Sequence, residues 1–310
     1  MRIVVNGWFW GQTTAGSGQY LTALAAVLPR VGSTHEFLLA LPALRSDIES
    51  LPAGWRSTRL GTPFDRLSVD LAKLWFEQVA FPGLCRRLGA DVGFVPYWGS
   101  PWLRPCPMIV TVHDLIPLLL PLYRGGALQR GYTKLVSATA RRAAAVITDS
   151  EASRADIVTH LRVPKERVHP VYLAAEGCQT VEQRTAPEVQ ARLNLPDGPF
   201  LLYLGGFDAR KNVSGTLQGY ANLVRRCAAE GLAAPALVIA GKLPARDSAF
   251  APDPRPTVAS LGLDDRVYFV GWVDEADKAA LYRSAAGVLF VSEYEGFGLP
   301  VLEAMACDQA

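Results

Sequence analysis

The sequence predicts two doubly wound α/β domains in series, each a parallel sheet covered by helices and facing its neighbour across a cleft. Three observations predict this. Short apolar, β-branched runs alternate with helical patterns along most of the chain, which is how a parallel sheet with helical crossovers reads. The alternation lapses once, near residue 174, and then restarts. The chain has 310 residues, 50% of them hydrophobic, more than one ordinary domain needs and enough to fill two cores.

The first domain is drawn from residues 1–174. It opens with "RIVV", a short apolar run ending near a glycine, as buried parallel strands do. The strands that follow are "EFLLAL", "DVGFVP", "MIVTVH", "AAVITDS" and "RVHPVYL". Helical patterns separate them at residues 18–28, 71–88, 128–143 and 151–160. Ser150 stands before the last of these as an N-cap, because its hydroxyl can accept from an amide of the first turn. Residues 174–190, "AAEGCQTVEQRTAPEVQ", are polar and hold no strand, so they make the linker and begin a new helix. The second domain, 175–310, has strands in "FLLYLGG", "PALVIAG", "RVYFVGW" and "GVLFVS". Its helices fall at 213–227, at 274–285 and from 300 onward.

Composition narrows the function classes. A formal charge of +2 with 19% charged residues argues against a general nucleic-acid binder, which needs a strongly basic face. Five scattered cysteines without a C-x-x-C or a histidine cluster read as reduced thiols of a cytoplasmic protein. The apolar stretch "MIVTVHDLIPLLLPL" is broken by His113, Asp114 and Pro117, so it does not span a bilayer. Adjacent acids at Asp264 and Asp265 read as a turn, and no metal site is expected.

Ligands of a doubly wound sheet bind at the carboxyl ends of the strands, and four motifs fall there. In "SEYEGFGLPVLEAMAC", Gly296 and Gly298 allow a tight turn before a helix that Pro300 helps to start. Such a helix start attracts anions, yet Glu295 and Glu303 would repel a phosphate beside them. Those glutamates fit neutral hydroxyls better, on two parts of one elongated ligand, a sugar and a ribose with a diphosphate between. In "YLGGFDARKN", Gly205 and Gly206 permit close approach, and Arg210 and Lys211 bring the positive charge that a departing diphosphate requires. Taken alone, those two basic residues would read as a solvated face. In "TAGSGQYLTAL", Gly16 and Gly18 precede a helix, but Leu21 takes the third glycine position of a dinucleotide fingerprint, which argues against a nicotinamide site. In "TVHDL", His113 ends a strand, placed either to meet a sugar hydroxyl or phosphate or to serve structure alone.

The ordered series "GSGQY", "LWFEQVAFP", "TVHDLIPL", "ITDSEASRADI", "GGFDARKN", "LVIAGK", "VYFVGWV" and "EGFGLPVLEAMAC" resembles the retaining family 4 glycosyltransferases of the GT-B fold, which has two Rossmann-like domains. It is most similar to their bacterial mannosyltransferase-type members. The resemblance implies that Glu295 binds the donor sugar and supports charge at its anomeric carbon, and that Glu303 binds the ribose. It implies that Lys211, helped by Arg210, holds the diphosphate, and that the amides of Phe297, Gly298 and Leu299 line the sugar–phosphate pocket. Gly16 and Gly18 would face the phosphates and His113 would touch the sugar. No metal or other cofactor is implied. GDP-mannose is the favoured donor, and a glycan or lipid-linked saccharide the acceptor; a lipid-linked acceptor would bring peripheral contact with the inner membrane face. Trp8, Trp10, Tyr97 and Trp98 could stack on acceptor sugars or pack in the interior.

Two features depart from the family pattern. Gly206 stands where many members carry arginine, and "DQA" stands where the family continues into further strands and a closing helix. The second domain is therefore expected to be incomplete, C-terminally truncated, with a four-stranded sheet. Two alternatives follow: a catalytically weak or inactive nucleotide-sugar-binding protein of the same fold, and a sugar-nucleotide epimerase of GT-B fold.

Overall fold

A computed structural model describes residues 1–12, 15–45, 51–175 and 184–308. The chain divides into two compact units, Met1–Tyr172 and Leu173–Ala310.

The first unit holds seven strands: β1 (Arg2–Asn6), β2 (Glu36–Pro42), β3 (Trp55–Leu60), β4 (Val92–Val95), β5 (Met108–Thr111), β6 (Ala145–Thr148) and β7 (Val168–Pro170). They form one sheet in the order β3-β2-β1-β4-β5-β6-β7, every pairing parallel. Successive β1 residues feed opposite faces: Val4 joins the core with Phe76, Phe81 and Met108, and Val5 the core with Leu21, Leu39 and Trp55. Both faces are thus covered, which is why the strands read as continuous apolar runs.

Strand β3 was not expected from the sequence. Its "WRSTRL" carries two arginines and alternates too weakly to announce a strand. Trp55 holds it in place, donating from its indole to the Ala25 carbonyl at 2.8 Å and packing on Phe37 at 5.2 Å. Charged residues suit such an edge, because they discourage pairing with another chain.

The helix expected at 71–88 spans Val69–Trp75 and Phe81–Leu88, joined by a π-helical turn at Phe76–Ala80. The Phe81 amide reaches back to the Phe76 carbonyl, five residues away. Ser150 caps its helix as expected, accepting from the Ser153 amide at 3.0 Å.

The second unit holds β8 (Phe200–Leu204), β9 (Ala236–Ala240), β10 (Val267–Gly271) and β11 (Gly287–Val288), in the order β10-β9-β8-β11 and all parallel. Four strands were expected. The last is shorter than "GVLFVS" suggested, because only Gly287 and Val288 pair with β8 before the chain turns into the loop toward Gly298. Helices Val213–Ala229, Glu275–Ser284 and Leu299–Ala306 occupy the anticipated places. Helix Ala186–Leu193 begins in the expected linker, where Thr185 and Glu188 form a capping box. Most of that linker, with Cys178, lies outside the described residues. Buried Asp277 accepts from Arg184 at 2.8 Å and ties this helix region to Glu275–Ser284.

Cys85, Cys106 and Cys227 are free thiols, whereas Cys307 is disulfide-bonded, which departs from the expectation that all five are reduced. Among the described residues, no helix is long and apolar enough to cross a membrane, and no cluster of three His, Cys, Asp or Glu residues could hold a metal ion.

Candidate active site

In each unit, strand order reverses at one point of the sheet, between β1 and β4 in the first and between β8 and β11 in the second. Loops leaving the carboxyl ends of two such strands diverge and open a crevice, the usual place for a ligand.

At the second unit's crevice, the loop after β8 supplies Arg210 and Lys211, and the loop after β11 supplies Glu295. The structure brings these three together. Lys211 Nζ donates to Glu295 Oε1 at 2.5 Å, and Arg210 Nη1 lies 2.5 Å from Glu295 Oε2. Arg210 is further braced by Asp208 at 3.0 Å and by the Tyr294 carbonyl at 3.2 Å. The Glu293 amide donates to the Arg210 carbonyl at 2.7 Å, so backbone as well as side chains join the two loops. Asn212 works from the same turn: its side chain caps helix Val213–Ala229 through the Gly215 amide and donates to the Val291 carbonyl.

Glu295 is 19% exposed. Burial pushes its carboxyl upward, but the Lys211 hydrogen bond and the charges of Lys211 and Arg210 outweigh it and hold the pKa below the usual carboxylate range. Glu295 is therefore an anion at neutral pH, and a ligand carrying its own negative charge must compete with it for Lys211.

Gly205 and Gly206 follow β8, with the Tyr203 hydroxyl donating to the Gly206 carbonyl at 2.5 Å. Gly296, Phe297, Gly298 and Leu299 make the turn into helix Leu299–Ala306, and Gly298 takes φ 98°, a conformation glycine adopts without strain. That helix starts with no side-chain cap; Pro300 brings no amide to its first turn, and the Val301 amide donates to the Gly298 carbonyl at 3.1 Å. Glu303 has partners of its own: Tyr282 donates to it at 2.9 Å, and Lys278 lies 3.8 Å away. An apolar cavity of about 100 Å³ lies behind the same helix, between Val288, Phe290, Val301, Ala304 and Met305.

The first unit carries the other sequence-selected residues. His113 follows β5, and its Nδ1 lies 2.7 Å from Asp149 Oδ2, which follows β6. Tyr20 packs edge-on against the His113 ring at 4.8 Å, and Ser153 Oγ donates to the His113 carbonyl at 3.0 Å. His113 is thus fixed from three sides, leaving Nε2 as its other ring nitrogen. Asp149 was not anticipated from the sequence. The available signal was an acid directly after an apolar strand in "AVITDS", the same position His113 occupies one strand earlier.

Gly16 and Gly18 differ sharply. Among the described residues, nothing lies within 4 Å of the place a side chain at Gly16 would fill. A Cβ at Gly18 would come within 2.1 Å of the Gln12 carbonyl oxygen, so glycine there serves the fit of loop to helix. Trp8, Trp10 and Tyr97 are 2%, 4% and 3% exposed. They pack in the interior, and the stacking considered for them is not available on this surface.

Two parallel-sheet units with reactive side chains at their reversal points define a GT-B protein. A family model described as Glycosyltransferase Family 4 matches residues 14–175, more than half of the chain, and one described as Glycosyl transferases group 1 matches residues 186–310. The chain belongs to glycosyltransferase family 4. Among curated relatives, it is 31% identical to the alpha-D-kanosaminyltransferase of Streptomyces kanamyceticus over 53% of this chain and 41% of that protein. It is 28% identical to the O-antigen chain mannosyltransferase B of Escherichia coli over 64% of this chain and 50% of that protein. The chain therefore spans half or less of these relatives' own lengths. Among solved structures, a sucrose-phosphate synthase from Thermosynechococcus elongatus superposes with TM-score 0.71 at 21% identity, covering 100% of this chain and 80% of that one. Anabaena HepE in complex with UDP and glucose superposes with TM-score 0.63 at 15% identity, covering 100% of this chain and 79% of that one.

Proposed function

We propose that this chain is a retaining, metal-independent glycosyltransferase that takes a mannose-like sugar from a nucleoside-diphosphate donor, with GDP-mannose favoured, and passes it to a glycan or lipid-linked saccharide. One observation carries the reading: Lys211 and Arg210 clasp Glu295 at the reversal point of the second sheet, beside a glycine turn and an uncapped helix start. Mannose is supported by the mannosyltransferase relatives, and a nucleotide diphosphate by the UDP in a structural neighbour.

The chemistry follows from the charges. Before donor binds, Lys211 and Glu295 neutralise each other. An arriving diphosphate draws Lys211 Nζ toward its oxygens, and the Glu295 oxygen it releases accepts from a hydroxyl of the transferred sugar. As the glycosidic bond breaks, negative charge grows on the diphosphate and positive charge on the anomeric carbon. Lys211 and the helix start stabilise the first, and the Glu295 anion the second. Arg210, braced by Asp208, keeps Glu295 in place throughout. Glu303 receives the ribose hydroxyls through its loosely held Oε1. In the first unit, the partly exposed His113 side chain, held by Asp149, meets the sugar, and Gly16 opens a helix toward an anion.

The test is thermal unfolding with GDP, UDP, ADP and GDP-mannose. A ligand at a hundred times its Kd stabilises the fold by about 2.7 kcal/mol. A melting shift with GDP and GDP-mannose is expected. A shift with UDP alone would replace the donor base, and no shift with any of them would overturn the donor site.

A further inference from the structure

The reversal point of the first sheet holds a side-chain cluster that none of the roles above uses. Lys73 and Glu77 sit one turn apart on the helical stretch 69–88, with Lys73 Nζ 2.6 Å from Glu77 Oε1. The Tyr132 hydroxyl shares its one proton between the two Glu77 oxygens, at 2.9 and 3.0 Å, and accepts from Lys73 at 2.5 Å. Three rings surround the ammonium: Tyr132 at 4.3 Å, Tyr97 at 5.2 Å and Phe9 at 5.8 Å. These groups come from the loop after β1, the loop after β4 and two helices, so the topology of the sheet, not one local motif, assembles them.

The two charged groups are placed differently. Glu77 is fully buried, whereas the Lys73 side chain keeps 19% of its surface exposed. Burial pushes the Glu77 carboxyl up, and the charge and hydrogen bond of Lys73 and the Tyr132 hydroxyl only partly oppose it. Glu77 therefore cannot touch a ligand; it holds Lys73 and Tyr132 in position. An ammonium has three donors, and the contacts with Glu77 and Tyr132 use two.

The neighbouring loop is held in place as well. Gln78, next along the π-helical turn, donates to the Ser100 carbonyl at 3.3 Å and accepts from the Trp102 amide at 2.9 Å, which clamps the loop after β4. Among the described residues, buried polar atoms at the end of β1 and on the loops after β1 and β4 have no protein partner: Asn6 Nδ2, Trp10 Nε1, Trp98 Nε1 and Ser100 Oγ. Buried polar groups ordinarily have one, and π-helical turns occur often at functional sites.

We infer that Lys73, backed by Glu77 and walled by Phe9 and Tyr132, forms a saccharide-binding subsite of the first unit, taking a neutral sugar of the acceptor. Lys73 donates its remaining hydrogen to a sugar hydroxyl, and the partly exposed rings of Phe9 and Tyr132 contact the pyranose face. Glu77 cancels the charge of Lys73, so the pair favours a neutral hydroxyl over a phosphate. Lys73 is the contacting residue, and Glu77 a positioning residue. The inference rests on the glycosyl-transfer reading and names the recognition element of its acceptor side.

The test measures saccharide binding directly. Saturation-transfer NMR of the full chain is run with methyl α-glycosides of mannose, glucose and galactose, on the wild type and on Lys73→Met/Glu77→Gln. The double variant removes both charges together and so leaves no buried carboxylate without its cation. Tyr132→Phe serves as a milder second variant. The wild type is expected to bind at least one glycoside, and the double variant to bind it at least about tenfold more weakly, the loss of one hydrogen bond to a charged group. Tyr132→Phe is expected to weaken it less. The GDP-induced melting shift, which reads the second unit, is expected to stay unchanged in every variant. Equal glycoside binding by the wild type and the double variant, or none by a wild type that still responds to GDP, overturns the subsite and leaves the donor reading standing. Glycoside binding lost in the variant, with no nucleotide response in any protein, overturns the donor reading and leaves the subsite.

Discussion

Both units bring a lysine–glutamate pair to the reversal point of their sheet, from loops in the second unit and from a crossover helix in the first, and use it differently. Lys211 and Glu295 stand at the reversal point of the second sheet, Lys73 and Glu77 at that of the first. In the second unit, the carboxylate is partly exposed, meets two cations, and has its pKa pulled down. In the first, it is fully buried, meets one cation, and has its pKa pushed up. Desolvation acts on both, and the balance falls upward at Glu77, which is more deeply buried and meets one cation, and downward at Glu295, which is less buried and meets two. A partly exposed pair can open to a ligand and act as chemistry, whereas a buried pair is fixed and acts as scaffolding for what lies above it.

That contrast is broken most directly by stability. Truncating Glu77→Ala leaves the ammonium and Tyr132 without their acceptor, and breaking a buried pair costs about 3–5 kcal/mol. Glu295→Ala should cost less, because Glu295 is not fully buried and its two cations keep part of their surface in water. Urea unfolding followed by tryptophan fluorescence measures both, and equal losses would remove the distinction. Ligand affinity comes next. Lys211→Ala is expected to weaken GDP binding by about tenfold to a hundredfold, the worth of a hydrogen bond to a charged group. Titration calorimetry reads this, and an unchanged Kd would take Lys211 out of the diphosphate site.

The smallest effect is in pH. Glu295 ionises more readily in the fold than in the unfolded chain, where a glutamate titrates near pH ~4.3. Its stabilisation is present above that value and is lost as the pH falls through the lower, folded pKa. Glu77 has the opposite sign: its folded pKa is raised, so it favours the fold most below the unfolded value and less as the pH rises through the folded one. Stability profiles should therefore flatten on the acid side in Glu295→Gln and on the side above pH ~4.3 in Glu77→Gln. Changes on the same side in both variants would contradict the opposed shifts.

The alternation of apolar runs made the fold readable, since buried parallel strands must be apolar on both faces. Strand β3 escaped because it is an edge, held chiefly by Trp55 and Leu60 while Arg56, Ser57 and Arg59 face solvent. That Arg210, Lys211 and Glu295 serve one ligand was readable as a likeness of motifs, but their contact with one another was not, because it depends on strand order, which sequence spacing does not contain. Asp149 and Glu77 were missed for related reasons. Asp149 meets His113 only because β5 and β6 are neighbours. Glu77 reads as half of a solvated i, i+4 helix pair until rings from three other segments enclose its lysine.

The turn at Phe76–Ala80 carries one residue more than an α-helix of the same course needs, because its closing bond runs five residues back instead of four. Each residue of an α-helix advances the direction of its side chains by about 100°. The turn thus acts as a phase shifter: Val69–Trp75 is rotated relative to Phe81–Leu88, and Lys73 points where Phe9 and Tyr132 can meet it while Phe81 and Leu84 stay in the core. Removing one residue between 76 and 80 would keep the helix and its length almost unchanged, yet turn its first half away from the crevice. At this point in the chain, counting residues sets orientation and not extent.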